Sequence, residues 1–263
     1  MSLLTVKTLS TQISAPTSTH YHRVDANEKD IAMLQDILNS GVFSGNEDNQ
    51  KDLYLNGLIE KPWGEEYRAY VDDFIDIWHL KILPGESTST HAHPRKTTYL
   101  ICIAGEGVNV SLGGEIPLQA GTILRIGRGA FHATRCLAGK EPLMLLEVET
   151  PRNKFDLVRM SDNYQRSGQK YEPEGKVLEG RRKKIPNLPN ASLVHSSPCR
   201  KFKFSVQTGM ELFYQRSSVG SLAICLSLRG VLSENISIIT PTNLNQERIQ
   251  TDAQYLCVES VKN

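Results

Sequence analysis

Long apolar runs are missing from this 263-residue sequence. The longest, LMLLEV and SLAICLSL, fall far short of the roughly 20 residues that a membrane-spanning helix needs. An excess of charge is missing too. Thirty Lys and Arg oppose 29 Asp and Glu, a formal net charge of +1, so the whole chain gives neither nucleic acid nor a membrane surface an electrostatic reason to bind. Cysteine is scarce: five residues (Cys102, Cys136, Cys199, Cys225 and Cys257), an odd number with no CxxC spacing. Several lie in apolar, strand-like surroundings, where a reduced thiol packs as a small hydrophobe, so a reducing compartment is expected. The N-terminal MSLLTVKTLSTQISAPTST has neither a long apolar core nor a small-residue cleavage site. No secretory signal is expected there, and the expected location is cytoplasmic. No internal stretch repeats exactly, though the order of turn, long apolar strand, Arg229-Gly230, short strand and final strand near the C-terminus loosely parallels an earlier β-prone region.

What is present is an ordinary globular balance, 39% hydrophobic and 7% aromatic, enough for a substantial core. Residues 1–24 are rich in Ser and Thr and read as a mobile arm or an edge strand; His20 and His22 in it read as exposed loop residues. From Asp25 to Gly41 the period becomes helical. Ile31, Met33, Leu34, Ile37 and Leu38 give the apolar spacing, Asp25 with Glu28 resembles a capping box, and Gly41 is placed to cap the C-terminus. Short β-prone runs follow between Leu58 and Glu149, separated by turn signals at Pro84-Gly85, Gly113-Gly114 and Ala120-Gly121. They predict an antiparallel sandwich or barrel. Residues 151–190 are polar and read as a linker; its Arg181–Lys184 run lacks interleaved aromatics and reads as a solvated stretch. Another β-rich segment, with KFKFSV, MELFYQRS, SLAICLSLRGVL, NISIIT and AQYLCVES as strands, occupies 191–263. The expected organisation is therefore an arm and helix over 1–57, a barrel over 58–150, the linker, and a second β domain.

One stretch dominates the chemistry. GESTSTHAHPRKTTYLICIAG sets His91 and His93 two apart between glycines, ahead of a β-prone run. Residues two apart on a strand share a face, so both imidazoles can aim at one point. His132, in GTILRIGRGAFHATRC, lies beyond a hairpin return. Three imidazoles converging inside a barrel suit a divalent transition metal, zinc or iron(II) first, nickel or manganese next.

These two stretches resemble the paired motifs of the cupin superfamily. In the first, Gly85, five residues, His91-Ala92-His93, four residues, Thr98, six residues and Gly105 keep the family's spacing, with Thr98 where the family has Glu. In the second, Gly121, five residues, Gly127-Arg128-Gly129, two residues, His132, three residues and Cys136 do the same, with Gly127 replacing Pro and Cys136 replacing Asn. The resemblance implies an all-β double-stranded β-helix, or jelly-roll barrel, with a short helical extension before it and a degenerate cupin-like second domain. It implies His91, His93 and His132 as metal ligands and leaves Thr98 to support at most a metal-bound water. Lys61-Pro62-Trp63-Gly64 further resembles the entry of the mannose-6-phosphate isomerase type of cupin, whose domain handles phosphorylated or nucleotide-linked sugars. Ser89 stands where that type has a ligand Gln.

Isomerisation or epimerisation of a sugar or sugar phosphate needs a Lewis acid and a base that moves a proton between carbons. Glu147 and Glu149, two apart on the last strand, and His79 are the residues for the base. Arg128 and Arg135 beside His132, with Lys61, Trp63 and Thr98, are the residues for substrate binding. Two other readings are open: a three-histidine iron dioxygenase using Tyr99, Cys102 or Cys136, and a non-catalytic small-molecule binder. A carbohydrate ligand, no nucleic acid or membrane partner, and a homodimer formed through barrel edges are expected.

Overall fold

A computed structural model describes residues 20–40, 58–153, 156–161, 195–197, 199–215, 222–233, 235–241, 243–244 and 249–261. The Arg181–Lys184 run and Gly41 lie outside these residues. The chain opens with β1 (His20–Val24) and α1 (Glu28–Asn39), then β2 (Ile59–Lys61), β3 (Gly64–Val71), β4 (Asp76–Ile82) and β5 (Thr90–Ala92). Next come β6 (Thr97–Ala104), β7 (Glu106–Ser111), β8 (Gly114–Gln119), β9 (Thr122–Ile126), β10 (His132–Cys136) and β11 (Leu143–Thr150). The remainder is β12 (Val158–Ser161), β13 (His195–Ser196), β14 (Phe202–Thr208), α2 (Gly209–Tyr214), β15 (Leu222–Cys225), α3 (Leu228–Leu232), β16 (Ile238–Ile239) and β17 (Gln254–Ser260).

Two sheets form the jelly roll that the sequence predicts. One has the order β1-β9-β6-β11-β4-β3-β2 and the other β12-β5-β10-β7-β8. Alternation along the strands sorts their side chains. Trp78, Leu80, Cys102, Leu118, Cys136, Leu143 and Leu145 form an apolar cluster between the sheets. The opposite face of the first sheet, with Tyr67, Ile77, Tyr99, Ile101, Met144, Leu146 and Val148, packs against Phe202, Phe204, Val206, Leu222 and Leu256 of the C-terminal segment. Central strands such as β6 and β11 are thus buried on both faces, which explains their nearly continuous apolar sequences. The predicted run TYLICIAGEGVNVSL is broken at Gly105, whose φ of +82° lets the chain leave one sheet and enter the other.

The C-terminal segment is β-rich as expected, and its described strands make one five-stranded sheet in the order β13-β14-β17-β15-β16. Two of its predicted strands are corrected. MELFYQRS begins as helix α2, because Thr208 and Glu211 form a capping box, and SLAICLSLRGVL is strand β15 followed by helix α3, capped by Ser227.

The helix α1 starts later than the spacing predicts. Asn27 is the N-cap and Asp30 completes the box, rather than Asp25 and Glu28. Its inward face is also narrower. Leu34 and Ile37 pack with Ala92, Phe131 and Val158 over the outside of the second sheet, whereas Ile31, Met33 and Leu38 are exposed. The predicted linker is corrected at its start: β12 pairs with β5, so the barrel extends past residue 150 to Ser161. His20 and His22 sit on β1, which pairs in parallel with β9; this segment is the edge strand of the two readings.

Candidate metal centre

Strands β5 and β10 bring the three histidines together. His132 and His91 are directly opposed across the two strands, and His93 follows His91 on the same face. All three rings are buried, with centroids 4.5 Å (His91–His132), 4.9 Å (His91–His93) and 5.4 Å (His93–His132) apart. Their ligating nitrogens lie within 4.8 Å of one another.

The backbone fixes which nitrogen faces inward. His91 Nδ1 lies 2.7 Å from the Ser89 carbonyl, His93 Nδ1 2.6 Å from the Asp156 carbonyl, and His132 Nδ1 3.1 Å from the Ala130 carbonyl. A carbonyl can only accept, so each Nδ1 carries the proton and each Nε2 presents a lone pair. Among the described residues, the buried His93 Nε2 has no hydrogen-bond partner. Burial is the main force holding all three rings neutral: it pushes His91 and His93 well below the ordinary range and His132 to about 4. Three neutral, oriented imidazoles fit a divalent transition metal.

Groups outside the ring cluster set its shape. Asp30 Oδ1 accepts the Phe131 amide at 2.9 Å, and Gly129 donates to the His93 carbonyl at 2.8 Å, so α1 and the β9–β10 turn brace both motifs. Asp156 Oδ2 accepts the Arg95 and Lys96 amides at 2.8 and 3.1 Å while its carbonyl holds His93. None of this was visible in spacing. Asp156 and Arg159 fall in what reads as a polar linker; only the short polar–apolar alternation of VRMS hinted at a strand.

Glu147 and Glu149 face the interior, as one orientation of β11 allowed. Their carboxylate oxygens and a His93 ligand nitrogen lie within 4.8 Å of one another. Lys96, fully buried, donates from Nζ to Glu149 Oε1 at 2.6 Å and to the Asn153 carbonyl at 2.9 Å. Thr98 is also fully buried and on the same face, opposite Glu149. Arg159 is the register partner of His91, is buried, and donates from Nε to Ser89 Oγ at 3.2 Å.

Other expected site residues lie elsewhere. His79 is on the opposite face of β4, against Tyr67, Phe202 and Phe204 beneath the C-terminal sheet, so it cannot be the base at this centre. Strand alternation decides this: Trp78 and Leu80 take the interior face and leave His79 outward. Arg135 alternates outward from His132 to the surface, where it meets Glu115 at 3.8 Å, and Arg128 is exposed on its turn. Trp63 packs the interior apolar cluster, and Lys61 is buried in an ion pair with Glu66 at 3.4 Å. Tyr99 points outward, accepting the Ile236 amide, while Cys102 and Cys136 belong to the apolar cluster. Burial pushes the Cys102 thiol up to about 12, so it stays protonated within that cluster.

Residues 78–149 match the family model described as "Cupin domain". The chain is 27% identical over 124 residues to "Mannose-1-phosphate guanylyltransferase ManC" of Salmonella typhimurium and 30% identical over 124 residues to "Mannose-1-phosphate guanylyltransferase" of Escherichia coli. Each match covers 45% of this chain, which spans 25% of either relative. Similar solved structures include an oxalate decarboxylase of Lactobacillus farciminis with formate (TM-score 0.36, 21% identity, 39% of this chain and 33% of that one). Another is KdgF from Halomonas sp. (TM-score 0.33, 17% identity, 35% of this chain and 84% of that one). Among the described residues, no helix is long and apolar enough to cross a membrane.

Proposed function

Residues 78–149 form a domain of the cupin superfamily, and on that premise we propose that the protein is a metal-dependent isomerase or epimerase of a sugar phosphate or nucleotide-linked sugar. The observation that carries this is the set of three buried imidazoles, each with Nδ1 committed to a carbonyl and Nε2 turned to a shared point. His91, His93 and His132 would hold a divalent metal, which when bound polarises a carbonyl or hydroxyl oxygen. The sugar half of the reading is supported by the KPWG stretch and by the names of the two curated relatives, which act on a mannose phosphate.

Glu147 is the proton acceptor in this reading. It shares a face with the histidines and lies within 4.8 Å of a His93 nitrogen; Glu149, ion-paired with the buried Lys96, is the weaker base of the two. Arg159 takes the phosphate-holding role for which Arg128 and Arg135 are too exposed; its Nε contact with Ser89 orients the guanidinium beside His91.

Isomerisation by proton transfer labels the substrate carbon in heavy water. The metal-loaded protein, incubated with hexose phosphates in D2O and followed by proton NMR, is expected to exchange one carbon-bound hydrogen. Glu147→Gln should slow this by about 100-fold or more. Binding of a sugar phosphate without exchange by the wild type would overturn the enzyme reading in favour of a binding protein.

A further inference from the structure

The family pattern places a carboxylate where this chain has Thr98, and the structure sets another carboxylate directly beside that position. We propose that Glu149 supplies to the metal the carboxylate that position 98 lacks. Thr98 on β6 and Glu149 on β11 are register partners in an antiparallel pair. Directly opposed residues have Cα atoms about 4.5–5.5 Å apart and side chains on the same face. A glutamate there extends over its shorter neighbour into the volume that a longer side chain at 98 would fill. Both residues are buried, at 0% and 1% exposure, so neither side chain is diverted to solvent.

Two further observations point inward. Carboxylate oxygens of Glu149 and Glu147 lie within 4.8 Å of a His93 nitrogen; that group is separate from the histidine triad and meets it only at His93, so Glu149 approaches the triad from the His93 side. His93 Nε2 and Thr98 Oγ1, both buried, have no hydrogen-bond partner among the described residues. The centre therefore has a buried lone pair and a buried hydroxyl that a cation and a carboxylate would satisfy.

Lys96 acts as the outer partner. Its Nζ holds Glu149 Oε1 at 2.6 Å and is itself fixed by the Asn153 carbonyl, which orients the carboxylate; its other oxygen would be the one to meet a bound metal. Glu147 lies within the same 4.8 Å of His93 but opposes Leu100, two residues and roughly 7 Å further along the strand, so it does not stand at the Thr98 position. Glu149 thus belongs to the metal and Glu147 to the substrate. This inference rests on the three-histidine centre of the proposed function but not on the substrate assigned to it.

Cobalt(II) alone is the probe, because its visible absorption reports the ligand set while equilibrium dialysis reports affinity. Glu149→Gln should bind cobalt about 10- to 100-fold more weakly than wild type and with an altered band. Glu147→Gln, which removes the same charge from the same face, should retain the wild-type band and change affinity by less than about 3-fold, within reach of a through-space effect. Adding Thr98→Glu to Glu149→Gln should recover both affinity and band. Equal weakening in the two glutamine variants with unchanged bands would overturn the proposal, since that is what unbonded charge predicts. If Glu149→Gln fails to fold with Lys96 left unpaired, Lys96→Met is compared with Lys96→Met/Glu149→Gln, and the same loss is expected between them; no loss overturns the assignment. His91→Ala separates the levels. Cobalt affinity unchanged by His91→Ala overturns the metal centre itself, whereas loss in His91→Ala with none in Glu149→Gln overturns only the role of Glu149.

Discussion

Asp30, on a helix outside the barrel, accepts the amide of Phe131 at 2.9 Å, and the next residue is His132 of the histidine triad. The other oxygen of the same carboxylate accepts the Asn27 amide, completing the capping box of α1. One buried side chain therefore couples the start of a helix to the geometry of the centre.

Asp30→Ala should cost about 2 kcal/mol of stability, from the lost cap and an unsatisfied buried amide. It should also weaken metal binding by about 10-fold, as loss of outer support commonly does. Denaturant unfolding and cobalt dialysis on the same variant check the two effects; lost stability with unchanged affinity would confine Asp30 to capping.

His79 makes stability sensitive to acid. Its pKa is pushed down from 6.5 to about 3, chiefly by burial and then by Lys81. Below pH 6.5 the unfolded chain takes up a proton that the folded chain refuses until about pH 3, so stability is full above 6.5 and falls as the pH drops through that window. The slope from this residue is about 1.4 kcal/mol per pH unit. His79→Phe keeps an aromatic ring among Tyr67, Phe202 and Phe204 and should lose less stability than wild type between pH 7 and 5, as read by urea unfolding.

Gly64, the last residue of KPWG, is required by the backbone. Its φ is +148°, and a Cβ there would sit 1.9 Å from the Lys81 carbonyl oxygen. Gly64→Ala should lower stability by about 3 kcal/mol by forcing β3 away from β4. A thermal melt within a degree or two of wild type would show that this hairpin can relax.

Arg159→Met should raise KM for a phosphorylated substrate by about 10- to 100-fold, the value of a hydrogen bond to a charged group, with a smaller change in kcat. An analogue lacking the phosphate should show no such change. Equal losses on both substrates would make Arg159 a support for Ser89 and His91 instead of an anion holder.

Lys96 and Glu149 should behave as a pair. Lys96→Met leaves a buried carboxylate without its cation and should cost about 3–5 kcal/mol, whereas Lys96→Met/Glu149→Gln should recover much of that loss. A double-mutant cycle by chemical denaturation measures the coupling; additive losses would show that the ion pair contributes little.

Local chemistry determined much of this protein before any folding was considered. Strand periodicity put His91 and His93 on one face, and the spacing of Gly85, His91, His93, Gly105, Gly121 and His132, through its resemblance to the cupin motifs, implied the barrel and the third imidazole. The Thr208-x-x-Glu211 box is equally local, but the apolar run beside it reads as a strand and masks it. Tertiary structure decided what depends on residues far apart. Whether His79 or Trp78 faces the interior is a matter of which face of β4 the C-terminal sheet covers. The roles of Asp30, Asp156 and Arg159 come from docking a helix against the turn before β10 and pairing the late strand β12 with β5, contacts that sequence separation conceals. The pairing of Thr98 with Glu149 is of the same kind: strand register, not spacing along the chain, sets a carboxylate opposite Thr98.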